Sequence, residues 1–444
     1  MSASTESLDA WIDRQYPVAI AGMQRSISPV HIVKQRPFFG QTIRPRRGAV
    51  VASPVLASYD PDPDYFFHWF RDSALVIDAL RLLYEDGAAG TDALTQLADF
   101  VAFSLSLESL DGAPLVEAPA WRDAVAADHV RFLRDPAELA AVRGRVAAES
   151  RVNPDGSLDI SRWNRPQYDG PPLTALTLLR WARHVPDTAE TGAPLAALIR
   201  AQLAFTFANA RQSSYDIWEE EFGLHYYNLR VSAAALRMGA DWLQAQDHER
   251  AQAYRDEAVA IERELDGFWL PERGHYRSRV LASGERSSKE LDIAVILAAI
   301  HAEGGAAGGA HGPADSRLHA SLTQLERHFE GEYPINHGRP PGLGPALGRY
   351  PRDVYYAGGA YYFSTLGAAE FCFRAAAAGA DRQRFQQRGD AYLATVRRYT
   401  PASGELSEQF DQRSGEPCSA RHLAWSYAAF ISCTAARRAA LAAG

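Results

Sequence analysis

The chain has 444 residues, 47% of them apolar, and a formal net charge of −8. That composition can fill a large core, leaves no stretch reading as disordered, and lacks the clustered positive charge that nucleic acid requires. The three cysteines, Cys372, Cys418 and Cys433, are sparse and form neither a metal spacing nor a disulfide framework, so a reducing compartment is expected.

The chain opens Met1-Ser2-Ala3-Ser4-Thr5-Glu6 with no basic leader. Its nearest apolar run, Pro17 to Met23, is short and broken, so no signal peptide is expected. No run approaches the roughly 20 apolar residues of a membrane span. A soluble, cytoplasmic protein follows as the expectation.

Residues 6–24 read as a first helix with Ser7 or Thr5 available as cap. Residues 25–68 are irregular, with a strand-like run at 48–53, turn signals at Gly40, Gly48 and Pro54, and the stretch Tyr59-Asp60-Pro61-Asp62-Pro63-Asp64. From Asp72 onward helical patterns follow one another: 72–85, 88–107, 135–148, 172–184, 192–209, 230–243, 246–267, 288–302, 313–329, 358–378, 381–397 and 419–440. A second strand-like run lies at 274–281. So many helices with so little sheet make an all-α fold. A solenoid of helix pairs would repeat every ~34–47 residues, and no such period is present. Loops of unequal length, carrying the aromatic and charged residues, point instead to a closed toroid of paired helices with functional loops on one rim. Residues 303–312, Glu-Gly-Gly-Ala-Ala-Gly-Gly-Ala-His-Gly, read as a flexible connector, and without a Ser/Thr/Pro-rich linker residues 1–444 read as one domain.

Five loop segments share a composition of aromatics interleaved with Arg and carboxylates beside Gly or Pro. They are Tyr65-Phe66-Phe67-His68-Trp69-Phe70-Arg71-Asp72; Trp163-Asn164-Arg165-Pro166-Gln167-Tyr168-Asp169-Gly170; Tyr215-Asp216-Ile217-Trp218-Glu219-Glu220-Glu221-Phe222-Gly223; Gly348-Arg349-Tyr350-Pro351-Arg352-Asp353-Val354-Tyr355-Tyr356; and Leu406-Ser407-Glu408-Gln409-Phe410. Each alone has an ordinary explanation: a core tryptophan, a local ion pair, a surface glutamate, or an acidic helix start favoured by the helix dipole. Their recurrence argues for a site. Flat aromatic faces pack on the C–H faces of sugar rings, while Arg, Asp and Gln side chains bind neighbouring hydroxyls. Crowded carboxylates against ring faces resist joint ionisation, so one of them can hold a proton as a general acid. Phosphate sites would want Gly-rich loops at helix N-termini, and neither a GxGxxG nor a Walker sequence is present. The thirteen histidines show no metal spacing, and Ser426 has no G-x-S-x-G elbow.

Taken in order, Tyr-x3-Trp-x-Arg-Asp, Pro-Gln-x-Asp-Gly, Asp-x-Trp-Glu-Glu, Gly-Arg-Tyr-Pro and Glu-Gln-Phe closely resemble the glucoamylase family, glycoside hydrolase family 15. The resemblance runs from about Gly48 to Ala429. It implies an (α/α)6 barrel and an inverting exo-hydrolase that releases β-glucose from non-reducing ends of short α-glucans, needing no metal or other cofactor. By position, Glu219 resembles the general acid and Glu408 the general base. Glu220 resembles a sugar-hydroxyl ligand, and Arg71 and Asp72 the pair gripping the terminal glucose. Tyr65, Trp69 and Trp425 resemble pocket residues, Trp163 and Trp218 the tryptophans beside the acid, and Arg349 and Tyr355 further substrate contacts. Inversion places the two carboxyls roughly 6.5–9.5 Å apart, with water between base and sugar.

The chain also departs from that pattern. Gly358-Gly359-Ala360-Tyr361 stands where many members have Gly-Asn-Pro-Trp, and Arg352-Asp353 where Glu-Asp is common. Segment 111–148 is longer than expected and is placed to reshape the pocket rim. With no starch-binding module following, short soluble α-glucosides are the expected substrates, and 1,4, 1,6 and 1,1 linkages stay open, so a trehalase or an isomaltose- or dextran-specific glucohydrolase is the alternative within the family. From other classes, a noncatalytic sugar-binding protein could keep the aromatics and Arg71/Asp72 without the carboxylate pair, and a helical scaffold would show a repeat. Oligomeric state is not legible.

Overall fold

The computed structural model describes residues 6–58, 62–185, 191–302, 309–356, 358–379 and 381–443. Its helices are α1 (Leu8–Gln24), α2 (Phe70–Glu85), α3 (Asp92–Leu107), the short α4 (Ala113–Glu117) and α5 (Pro136–Ala140), α6 (Gly170–Trp181), α7 (Gly192–Asn209), α8 (Tyr226–Leu243), α9 (His248–Asp266), α10 (Ala294–His301), α11 (Ser316–Glu332), α12 (Tyr362–Ala377), α13 (Arg382–Tyr399) and α14 (Ala424–Ala442). Six of them close a ring: α2 packs on α6, α6 on α8, α8 on α10, α10 on α12, α12 on α14, and α14 back on α2. Outside it α1, α3, α7, α9, α11 and α13 alternate with the inner helices along the chain. This is the (α/α)6 toroid.

Helix composition decides which ring a helix joins. Ala294 to Ile300 of α10 are all buried, and α12 buries nearly its whole length, so neither has a face for water. By contrast α13 buries Phe385, Gly389, Tyr392, Leu393 and Val396 along one stripe and turns its arginines and glutamines outward, the pattern of a helix with one dry side. No described helix is long and apolar enough to cross a membrane.

The expected helices are present, with instructive trims. The 135–148 pattern is not one helix. It breaks after α5, Gly144 turns left-handed at φ +66°, and only a 3-10 turn forms at Val146–Ala148. The 88–107 pattern begins at Asp92 because Gly87 and Gly90 are also left-handed. The 288–302 pattern begins at Ala294, since Lys289, Glu290 and Asp292 are engaged in side-chain contacts before it. Run 48–53 contributes only an antiparallel bridge from Val50 to Ile27, whereas 274–281 splits into strands His275–Tyr276 and Arg279–Leu281. Residues 303–308 of the expected connector, and Tyr59 to Pro61, lie outside the described residues. At the connector's end, His311 is buried and shares a 2.9 Å hydrogen bond with the Tyr226 hydroxyl.

Short strands lead directly into three inner helices: His68–Trp69 into α2, Phe222–His225 into α8, and Ala360–Tyr361 into α12. The extended strand carries a side chain to the rim, and the helix that follows anchors it in the ring. Parallel inner helices bring their N-termini, with unpaired N–H groups and positive dipole ends, to that rim. Asp72, Asp169 and Trp425 sit at or beside such starts.

Candidate active site

The acidic stretch is a hairpin tip. Ser214–Tyr215 pairs antiparallel with Phe222–His225, whose other edge pairs with Arg279–Leu281. A Cβ on Gly223 would lie 2.2 Å from the Val280 carbonyl oxygen, so that close strand approach requires glycine. Asp216 organises the turn. Its Oδ1 accepts the amides of Glu220 (2.7 Å) and Glu221 (3.0 Å), and its carbonyl accepts the amide of Glu219 at 2.8 Å. Glu219 is thereby held at φ +63°, a conformation that costs a non-glycine residue of order 1 kcal/mol or more and persists only when its surroundings impose it.

That turn sends the three carboxylates in different directions. Glu219 receives the indole N–H of Trp69 on Oε1 at 2.7 Å and that of Trp163 on Oε2 at 2.6 Å, with Arg71 3.6 Å away. Asn164 donates to its backbone carbonyl at 2.7 Å. Burial holds the Glu219 carboxyl above its ordinary range, against the pull of Arg71, Arg151 and the two indoles. Glu220 turns to Lys289 (2.6 Å), the Tyr350 hydroxyl (2.7 Å) and Arg349 (3.1 Å). Glu221, for which the sequence suggested no role, ties Arg279 (3.0 Å) and Ser287 (2.6 Å) together behind the turn. Arg279 also pairs with Asp216 and Asp292, and Asp292 accepts the Trp218 indole at 2.9 Å. The stretch is not a helix start.

Glu408 comes from the far side of the chain. It precedes strand Gln409–Phe410, the middle of a three-stranded sheet between Ala360–Tyr361 and Pro417–Cys418. Its carboxylate accepts the Tyr65 hydroxyl at 3.2 Å and the Ser419 hydroxyl, and Tyr65 is within 2.8 Å of the Tyr355 hydroxyl. Burial pushes Glu408 up to about 7, moderated by Ser419, Arg349 and Tyr65 and reinforced by the nearby Asp72 charge. The Tyr65 and Trp69 rings touch, with centroids 5.2 Å apart. One aromatic wall thus holds a carboxyl at each end.

Beneath them, Arg71 lies between Asp72 (3.3 Å) and Asp169 (3.1 Å). Arg71 Nε and Asp72 Oδ2 are buried and make no hydrogen bond, although Oδ2 is the oxygen that pairs with the Arg71 guanidinium. Burial raises Asp72 to about 6, opposed by Arg71 and reinforced by Glu219 and Asp169. Trp425 stacks on Phe363 with centroids 4.1 Å apart and planes within 3°, and Trp218 stacks beside both. Arg71 lies 5.6 Å above Trp425.

Arg349 is fixed by Asp353 through two bonds of 2.7 and 2.8 Å and lies over the rings of Trp218 and Tyr355. Tyr361, at the departure from the family pattern, is fully buried and shares its hydroxyl with Asp353 and Gln409, so it braces Arg349 from behind. Arg352 is exposed, with its backbone amide on Glu332.

All the residues singled out by sequence thus fall on one rim, linked through these contacts. Sequence reasoning missed Asp169, Lys289, Ser419 and Arg151. Asp169 stood inside a quoted motif. Arg151 carried no signal: it is 1% exposed, its guanidinium 3.7 Å from the Trp163 centroid and 4.7 Å from that of Trp69, clamping both indoles that hold Glu219. Asp159 pairs with it at 2.9 Å.

Glu219 and Glu408 are thus two buried carboxyls linked through the touching Tyr65 and Trp69 rings, with Arg71 3.6 Å from Glu219, and buried carboxyls of this kind can hold or accept a proton. Among the described residues no group of His, Cys, Asp or Glu could hold a metal ion. The family model for glycosyl hydrolases family 15 matches residues 37–105, 148–387 and 381–435. Glucoamylase 1 of Rhizopus oryzae is 26% identical over 485 residues, covering 98% of this chain and 72% of the relative. A glucoamylase of Blastobotrys adeninivorans is 27% identical over 455 residues, covering 88% and 68%. The structure of the family 15 glucoamylase from Hypocrea jecorina superposes with a TM-score of 0.78 at 25% identity, covering 97% of this chain and 72% of that one.

Proposed function

Because the chain belongs to glycosyl hydrolases family 15, we propose that Glu219 is the general acid and Glu408 the general base of its reaction. The protein is an exo-acting glycoside hydrolase of the glucoamylase type, a glucan 1,4-α-glucosidase that works on oligosaccharides. The observation that carries the assignment is the pair of buried carboxyls held from the two ends of one aromatic wall, Glu219 by the Trp69 and Trp163 indoles and Glu408 by the Tyr65 hydroxyl.

The terminal glucose enters with its hydroxyls on Arg71 and Asp72, over Trp425, with Tyr65 and Trp69 as the side wall. Glu219, protonated, gives its proton to the departing glycosidic oxygen. Glu408, ionised as pH rises past the value of about 7 to which burial lifts it, takes a proton from water that attacks the anomeric carbon from the opposite face, so configuration inverts and β-glucose leaves. Asp72 and Asp169 favour the positive charge that develops on the sugar ring. Glu220, held by Arg349 and Lys289, serves the next sugar, with Trp163, Trp218 and Tyr355 around it. The chain acts as one catalytic unit, a reading supported by the closed ring of inner helices. Three free cysteines, two of them buried, support a reducing, cytoplasmic setting.

The test is the anomer first released from maltose, followed by proton NMR, in the wild type and in Glu219→Gln and Glu408→Gln. β-Glucose from the wild type and loss of nearly all turnover in each variant are expected. An initial α-anomer, or wild-type turnover in either variant, refutes the assignment.

A further inference from the structure

The family model leaves residues 106–147 unmatched. In the structure this segment is an ordered wall beside Trp163. Val125 and Leu133 pack with Ile160, the Arg162 amide donates to the Phe132 carbonyl at 2.7 Å, and the Ala126 amide donates to the Phe38 carbonyl at 2.9 Å. Between this wall and residues 34–39 runs a cleft of about 600 Å³ that reaches Trp163. Its aromatic side is one cluster. Phe38 stacks on His129 with centroids 4.4 Å apart and planes within 6°, and His129 meets Phe39 and Phe132 edge to face at 5.7 Å each. Phe38 is 54% and Phe132 44% exposed, so the cluster turns ring surface to solvent that a core would have covered. Gln35, Ser161 and Arg162 add polar groups along the same cleft.

We propose that this cleft binds the leaving-group end of longer α-glucan chains, adding glucosyl subsites beyond those of the pocket. The inference rests on the glucoamylase reading above. Trp163 supplies the direction: its indole N–H holds Glu219, the proton donor to the departing oxygen, and the same residue is one of those lining the cleft. The part of the substrate that departs therefore lies on the Trp163 side. The occupant is a run of glucosyl units, whose C–H faces suit Phe38 and Phe132 while their hydroxyls reach Gln35, Ser161 and Arg162. His129 stacks on Phe38 and meets the edge of Phe132, over whose ring the Arg131 guanidinium lies at 4.8 Å, so both phenylalanines are held and little rotamer freedom is lost on binding.

The experiment compares wild type with the double variant Phe38→Ala/Phe132→Ala on maltose and on maltoheptaose, and repeats the maltoheptaose comparison by calorimetric binding in a Glu219→Gln background. Neither phenylalanine belongs to the catalytic pocket. The variant should keep kcat/KM for maltose within about twofold and lose about tenfold for maltoheptaose, through KM, with a matching loss of affinity. Equal losses on both substrates, or none on maltoheptaose, overturn the proposal. Wild-type protein that leaves maltose intact would instead defeat the glucoamylase reading, and the binding comparison would still decide whether the cleft takes glucosyl chains.

Discussion

Replacing Glu408 by Gln should raise the stability of the fold, and only above a defined pH. Burial lifts the Glu408 carboxyl from 4.5 to about 7. Between those values the folded chain keeps a proton there that the unfolded chain has released, so the fold weakens as pH rises through this window. Above pH 7 the whole displacement is felt, roughly 3 kcal/mol of cost for holding an ionised carboxylate in the site. Below 4.5 both states are protonated and the cost vanishes. Glutamine cannot ionise, and its amide oxygen can still accept from Tyr65 and Ser419, which now donate to the carboxylate. For a chain of this length, ~3 kcal/mol corresponds to about 3 °C in Tm. Scanning calorimetry of wild type and variant at pH 4.0 and 7.5 measures the difference directly, with other titrating groups cancelling. A gain near 3 °C at pH 7.5 and almost none at pH 4.0 is expected, alongside loss of hydrolysis. A pH-independent gain, or a larger one at pH 4.0, would refute the reasoning that burial sets this group.

Other groups move in worked directions. Ser419→Ala removes a hydroxyl that stabilises ionised Glu408, so the acid limb of the kcat/KM profile should move up by about one pH unit and activity at pH 5 should fall about tenfold. Trp163→Phe keeps the ring but removes the N–H on Glu219 Oε2. The acid should then hold its proton to higher pH, shifting the basic limb up by about one unit, and pH–rate profiles on maltose would show it. Arg151→Met strips a buried cation from three aromatic rings and from Asp159. It should cost about 3 kcal/mol in urea unfolding and lower kcat by loosening both indoles.

The ring of helices was legible because burial leaves a period in sequence: continuous apolar runs for inner helices, single stripes for outer ones. The trims came from glycines at φ > 0 and from polar residues drawn into the site, such as Lys289 and Asp292, which propensity alone reads as helix. The site was legible as composition, since aromatic residues and carboxylates recur together on five loops. What composition could not supply was direction. The Glu219-Glu220-Glu221 triplet is chemically uniform, and only the backbone bend imposed by Asp216 gives its members separate tasks. Arg151 stayed hidden because its function is to lie between two rings, a tertiary relation with no local trace. The exposed faces of Phe38 and Phe132 had equally little sequence signature, for an apolar residue in an irregular segment reads as core.

The helix that closes the ring is also the last of the six to leave the ribosome. α14 brings Trp425 to 5.6 Å from the Arg71 guanidinium and joins α12 to α2, elements far apart in the chain. Until it docks, the Trp218 and Phe363 rings and the Arg71 guanidinium lack the Trp425 ring they pack against. Closure of the ring therefore waits on α14, and a chain cut before residue 424 would lack both the Trp425 ring beside Arg71 and the contacts that join α12 to α2.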